Sequence, residues 1–382
     1  MLLRLPIVLT WFLLILLTFF VQRSFGNEKG MIILGQSCAL SGPASDLGNE
    51  FKTGLNIAFD EINGNGGING REIILESLDD GYEPYRAYAN TKQLIEKGVF
   101  ALIGEVGTPT SKAVLPLIEI HKIPFFAPYT GADLLRTPFN PYIINIRASY
   151  NQEMEKLVSY FVDHLGLTRI SCFFQNDSYG FSGLNGLKIA LHKRGLTLVS
   201  KGEYERNTVA VLGGVLDIMK ASPEAVVLVG AYPACAEFIK LYKLRNPKNT
   251  AIFGNISFVG TTGLKNALES FGEHVVVTEV VPFPWDRSRP IVSSYINALR
   301  THRPSKSPGF VSLEGYIAGK LFGYIAGRIE GRLTREAFLK KISELGSFQL
   351  DDFQLMYQSG AYVGSTEVIL IKLFPDYQQV KF

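Results

Sequence analysis

Residues 31–80 read MIILGQSCAL SGPASDLGNE FKTGLNIAFD EINGNGGING REIILESLDD, and the rhythm of this stretch decides the fold. Residues 32–35 are a short apolar run of the kind that forms a buried strand. In 46–62, Phe51, Leu55, Ala58, Phe59 and Ile62 recur at helical spacing and share one face. Residues 72–78 are strand-like again. The glycine cluster between them, 63–70, ends a helix and leads into a strand, so its Gly and Asn residues stop the helix and turn the chain. A phosphate-binding loop has the opposite order, following a strand and opening a helix. The cluster is therefore not a dinucleotide site.

The same alternation runs outward. Strands are expected at 100–103 and 124–128, with helices at 87–97 and 111–121. After a break near 147–150 the pattern resumes with strands at 169–174, 196–204, 225–229, 251–253 and 274–280. Helices at 183–194, 210–220 and 235–244 separate them. Strands alternating with helices imply parallel sheets with right-handed crossovers, and two such runs imply two α/β lobes. The tail differs: 289–344 reads as helical and 348–374 as two or three strands. Gly315, Gly319, Gly323, Gly327 and Gly331 fall every fourth residue. That stripe forms a ridge suited to close approach of a second helix, while Glu314, Lys320 and Arg328 argue against a lipid-facing span.

The 382 residues suffice for about two domains. A chain that is 47% hydrophobic and 19% charged can build real cores. Residues 1–26 contain Arg4, an apolar run from 5 to 21, and the small residues Ser24 and Gly26. This is the pattern of a secretory signal peptide cleaved after Gly26; the competing reading is an uncleaved anchor. The remaining chain carries 36 basic and 35 acidic residues, a balance with no electrostatic footprint for nucleic acid. Cys38, Cys172 and Cys235 sit among small or apolar neighbours and are read as buried thiols. No Cys or His pair has zinc-ligand spacing, and no nucleophile elbow or Walker loop occurs. No catalytic residue, metal or cofactor is therefore expected.

The segments Ala39-Leu40-Ser41-Gly42-Pro43, Ala58-Phe59-Asp60-Glu61-Ile62-Asn63, Gly66-Gly67-Ile68-Asn69-Gly70-Arg71 and Asp79-Asp80 resemble the type I periplasmic binding proteins. Within them they are most similar to the branched-chain amino-acid (Leu/Ile/Val) receptors of ABC transporters. The resemblance covers about 31–375. It implies two Rossmann-like lobes joined by a three-crossing hinge, lobe 1 being 30–147 plus 281–345 and lobe 2 being 148–280 plus 346–382. It also implies a monomer outside the cytoplasm, in the periplasm, that passes a small molecule to a membrane permease. A sensor signalling to a membrane receptor is the alternative.

Ligands of open parallel sheets bind beyond the C-terminal strand ends, where helix N-termini point. In the first lobe those loops hold Ser41, Glu105, Thr108, Tyr129, Thr130 and Gly131. In the second they hold Asp177, Tyr179, Tyr232 and Ser257. Hydroxyls and free N–H groups at a helix start suit a carboxylate, and tyrosines supply an apolar face with one polar tip. The resemblance implies that Thr108, Tyr129 and Gly131 hold the ligand's α-carboxylate and α-ammonium, with Tyr179 and Tyr232 packing it. The family's acid for the ammonium is missing, because the loop reads Gly254-Asn255-Ile256-Ser257-Phe258; Glu105 and Asp177 are the candidates to replace it. Gly81 and Gly107 stand where the branched-chain group often carries a disulfide. Arg136, Arg147 and Arg206 each lie near a strand end or crossing, where they serve as carboxylate grips or as hinge ion pairs.

Overall fold

The computed structural model describes residues 30–248 and 250–382; the expected signal peptide, 1–26, lies outside them. The first sheet takes in β1 (Ile32–Cys38), β2 (Ile73–Asp79), β3 (Ala101–Ile103), β4 (Phe125–Phe126) and β5 (Ile143–Ile144). Its order is β2-β1-β3-β4-β5, parallel throughout. The crossovers are α1 (Ser45–Gly64), α2 (Pro84–Glu96) and α3 (Thr108–His121).

The second sheet has seven strands. Five are parallel: β6 (Ile170–Gln175), β7 (Ser200–Tyr204), β8 (Ala225–Val229), β9 (Ile252–Asn255) and β10 (Val275–Glu279). Their helices are α4 (Tyr150–Val158), α5 (Ser178–His192), α6 (Leu212–Lys220), α7 (Tyr232–Arg245) and α8 (Thr261–Leu268). The expectation of purely parallel sheets is corrected at one edge. There the last strands of the chain join antiparallel to β10.

The helical stretch forms α9 (Pro290–His302), α10 (Phe310–Ala326) and α11 (Arg335–Ser343). Then β11 (Gly346–Leu350), β12 (Phe353–Gln358) and β13 (Ala361–Gly364) make a small antiparallel sheet, and β14 (Ile369–Lys372) and β15 (Gln378–Val380) close the seven-stranded one. The tail thus holds two or three strands more than its sequence suggests. The small sheet packs on first-lobe elements: Tyr357 donates to the Asn145 carbonyl at 2.8 Å, and the Phe348 ring stacks on Tyr324 of α10 at 5.2 Å. Only 369–380 join the second sheet.

The glycine ridge of α10 lies on α1. A β-carbon at Gly315 would sit 2.2 Å from the Phe51 carbonyl oxygen, and one at Gly319 would sit 2.6 Å from the Ala58 β-carbon. Small residues here let the two helices nearly touch, and the apolar face read from 51–62 is the surface they share. Among the described residues no helix is long and apolar enough to cross a membrane. All three cysteines are free and buried.

Candidate functional site

The C-terminal ends of the two parallel sheets face each other and are drawn together. From the first lobe, the loop after β3 opens α3. Gly107 holds φ 111 there, and a β-carbon at that position would collide with the Tyr82 ring at 2.2 Å. Only glycine fits, so the cysteine of the disulfide-bearing relatives has no room. Thr108 begins α3 and shares a hydrogen bond of 2.7 Å with Thr130, which stands 3.1 Å from the Tyr150 hydroxyl. All three are buried. This hydroxyl chain lies beside the first-turn N–H groups of α3, a cradle for a carboxylate. Gly131 closes it from behind, its carbonyl accepting from the Tyr150 N–H at 2.8 Å.

From the second lobe, the turn after β9 inserts the ring of Phe258 between the lobes. Its centre lies 4.4 Å from that of Tyr179, 5.6 Å from Tyr129 and 6.0 Å from Tyr82. Tyr150 adds a further ring 5.6 Å from Tyr179. Tyr129 also bridges the lobes by its hydroxyl, 3.4 Å from the Ser257 carbonyl. The buried Tyr179 hydroxyl and both side-chain atoms of Asn255 have no hydrogen-bond partner.

Beneath this box lies a buried charge cluster. The Arg147 guanidinium lies 4.3 Å from the Tyr129 ring centre and 3.4 Å from Glu314 of α10, and it donates to the Ser257 hydroxyl. Its Nη1 has no hydrogen-bond partner. Glu153 of α4 takes the Ser257 N–H at 2.7 Å, the Ser257 hydroxyl at 3.0 Å and the Thr278 hydroxyl at 2.7 Å. Glu279 accepts from Thr261. Burial pushes the Glu314 carboxyl up to about 7, although Arg147 pulls the other way. Burial likewise raises Glu153 and Glu279.

The sequence-derived candidates divide. Thr108, Tyr129, Thr130, Gly131, Tyr179 and Ser257 meet at the interface just described. Ser41 does not; it is exposed, and its hydroxyl and N–H both bind Asp79. Tyr232 lies half-buried at the outer rim against Gly263, hydrogen-bonded to Asp46. Asp177 caps α5 through the Tyr179 N–H at 2.9 Å, and its other oxygen takes Gln175 and Arg206. Glu105 is buried with Oε1 unpartnered, and burial, with Asp80 adding to it, pushes its carboxyl far above the usual range. Arg136 braces the hinge, donating to the carbonyls of Val363 at 3.1 Å and Arg147 at 2.7 Å. Arg206 instead spans the lobes to Glu83 at 2.8 Å, where Asn207 joins it. Sequence reading did not pick out Tyr82, Tyr150, Glu153 or Phe258. Tyr82 adopts φ 62 directly after Gly81, a conformation its sequence does not announce.

Two sheets face each other across a hinge, with polar loops and aromatic rings between them, the architecture of a two-lobed binding protein. The family described as periplasmic binding protein matches residues 32–363, and the chain belongs to it, in the type I branch of the branched-chain amino-acid receptors. A Leu/Ile/Val-binding protein homolog 7 of Brucella abortus is 25% identical over 325 residues, covering 81% of this chain and 80% of that protein. The crystal structure of a possible leucine/isoleucine/valine-binding protein from Rhodopirellula baltica aligns with TM-score 0.88 and 33% identity, over 93% of this chain and 97% of the other. A substrate-binding periplasmic protein from Ralstonia solanacearum aligns with TM-score 0.85 and 26% identity, over 91% and 100%.

Proposed function

We propose that this chain is the periplasmic solute-binding component of an ABC transporter, a monomer that closes on a small polar ligand, an amino acid or a related carboxylate, and presents it to a permease. One observation carries the reading. The buried hydroxyl chain Thr108–Thr130–Tyr150 lies at a helix N-terminus directly across from an aromatic box supplied by both lobes. Hydroxyls and helix N–H groups suit an anionic head, and rings suit an apolar body. Hinged lobes, the first of about 30–147 plus 281–364 and the second of about 148–280 plus 369–382, provide the closing motion. The names of the Brucella and Rhodopirellula relatives support a leucine-like ligand size. The test is a thermal-shift screen of purified protein against metabolites. A true ligand at 100 times its Kd adds about 2.7 kcal/mol of stability. Thr108→Val should weaken a hit at least tenfold, and unchanged affinity would remove Thr108 from the site.

A further inference from the structure

The strand β7 is an edge of the seven-stranded sheet, bonded to β6 on one side only. Its pleat sorts its side chains. The Tyr204 ring stacks on Phe173, and a β-carbon at Gly202 would meet Gly214 of α6 at 2.6 Å, so both residues face the layer of α6 and α7. Alternation turns Lys201 and Glu203 to the opposite face, that of α5. Both are exposed, and among the described residues neither side chain has an ion pair or a hydrogen bond. The backbone alternates as well. The Tyr204 carbonyl accepts from the Asn176 N–H at 2.8 Å on the β6 side, so the N–H and C=O groups of 201 and 203 point outward.

An open edge is a template for another strand, and an exposed lysine is one device that deters pairing. A second copy of this chain answers the lysine. In an antiparallel pair centred on Gly202, Lys201 of each copy stands opposite Glu203 of the other. These are also the residues whose outward backbone groups would exchange hydrogen bonds. The neighbouring registers in phase set Lys201 against Lys201, or Glu203 against Glu203, and like charges oppose them. Apolar surface flanks the same face. Phe181 is 51% exposed, with its ring 5.7 Å from Phe174, the neighbour of Glu203 on β6. Ile189, 43% exposed, lines a groove of about 610 Å³ with Leu196 and Leu198, where the chain enters β7.

We infer that two copies of this chain pair through β7, antiparallel about Gly202, so that their two large sheets become one. Two backbone pairs and two ion pairs make a small interface, so the dimer forms at micromolar concentrations or above, and the single copy proposed above is its dilute form. The inference does not depend on the cleft or its ligand.

Sedimentation velocity on the purified protein, from about 1 µM to about 1 mM, tests it. We expect the mass to rise from one chain towards two; one chain throughout overturns the inference. Lys201→Glu and Glu203→Lys should each weaken association about tenfold or more, since each sets like charges on both pairs. Both side chains are exposed and unpaired, so each variant should keep the wild-type melting curve. An equal mixture of the two variants brings opposite charges together again and should associate within about threefold of the wild type. Wild-type association by either variant alone, or none in the mixture, overturns the inference.

Discussion

Arg206, on the loop after β7, reaches 2.8 Å to Glu83 at the start of α2, and so fastens one lobe to the other at the mouth of the cleft. Asn207 reinforces it, donating to Glu83 at 2.7 Å and to the Gly81 carbonyl at 3.1 Å. These bonds exist only when the lobes are together, so they bias the open–closed equilibrium.

Glu83→Gln should therefore raise the radius of gyration of the unliganded protein in small-angle scattering. It should also weaken ligand binding about twofold to fivefold, the scale of a partly exposed ion pair. An unchanged scattering profile would show that the clasp does not hold the lobes.

Arg147→Ala should be far more damaging. It leaves Glu314 buried without its cation, a loss of about 3–5 kcal/mol, and it removes the bond from Arg147 to the Ser257 hydroxyl on the other lobe. Urea unfolding gives the value directly, and a change below about 1 kcal/mol would contradict the role assigned to the pair.

Gly315→Ala should cost about 1–3 kcal/mol by overpacking, because its β-carbon would meet the Phe51 backbone at 2.2 Å. Gly213→Ala, on α6 with nothing within 4 Å of the new carbon, should instead stabilise by about 0.5–1 kcal/mol. The pair of melting curves separates close helix approach from general helix propensity.

Stability should fall as pH rises from about 4.5 to about 7. Burial lifts Glu314 from 4.5 to about 7 and Asp80 from 3.8 to about 6. Between its two values each group holds a proton in the native state that the unfolded chain has lost, so raising the pH favours unfolding. The contribution is full below the unfolded value and gone above the folded one. Glu314→Gln should flatten this slope in urea titrations across the window, and an unaltered slope would mean that Glu314 titrates normally.

The architecture was largely legible because alternation of short apolar runs with amphipathic helices is a local signal. It fails where the signal is weak. The sequence over α4, YNQEMEKLV, puts Tyr150, Met154, Leu157 and Val158 at helical spacing, but over only nine residues, and the Ser149/Gln152 capping box marks its start. The eight-residue α8 is shorter still, with Leu264 and Leu268 as its buried apolar pair. Strand-end logic pointed to Thr108, Tyr129, Thr130 and Tyr179, which the structure brings to the interface between the lobes. Of the cluster of Arg147, Glu153, Glu279 and Glu314 it singled out Arg147 alone, because Glu279 and Glu314 come from distant segments and meet it only after folding. Ser41 and Asp177 bind protein groups, the Asp79 carboxylate and the Tyr179 N–H, and a loop hydroxyl or an N-cap acid looks alike in sequence whichever partner it takes.

The placement of β14 has a consequence for biogenesis. Leu370 and Ile371 lie on Thr278 and Val277, so β10 gains its outer neighbour from residues made long after β10 itself. A nascent chain halted before residue 369 presents a bare hydrogen-bonding edge on an otherwise assembled sheet, open to any stray extended peptide. Completion of the second sheet must therefore await synthesis of β14, however early its first five strands pair.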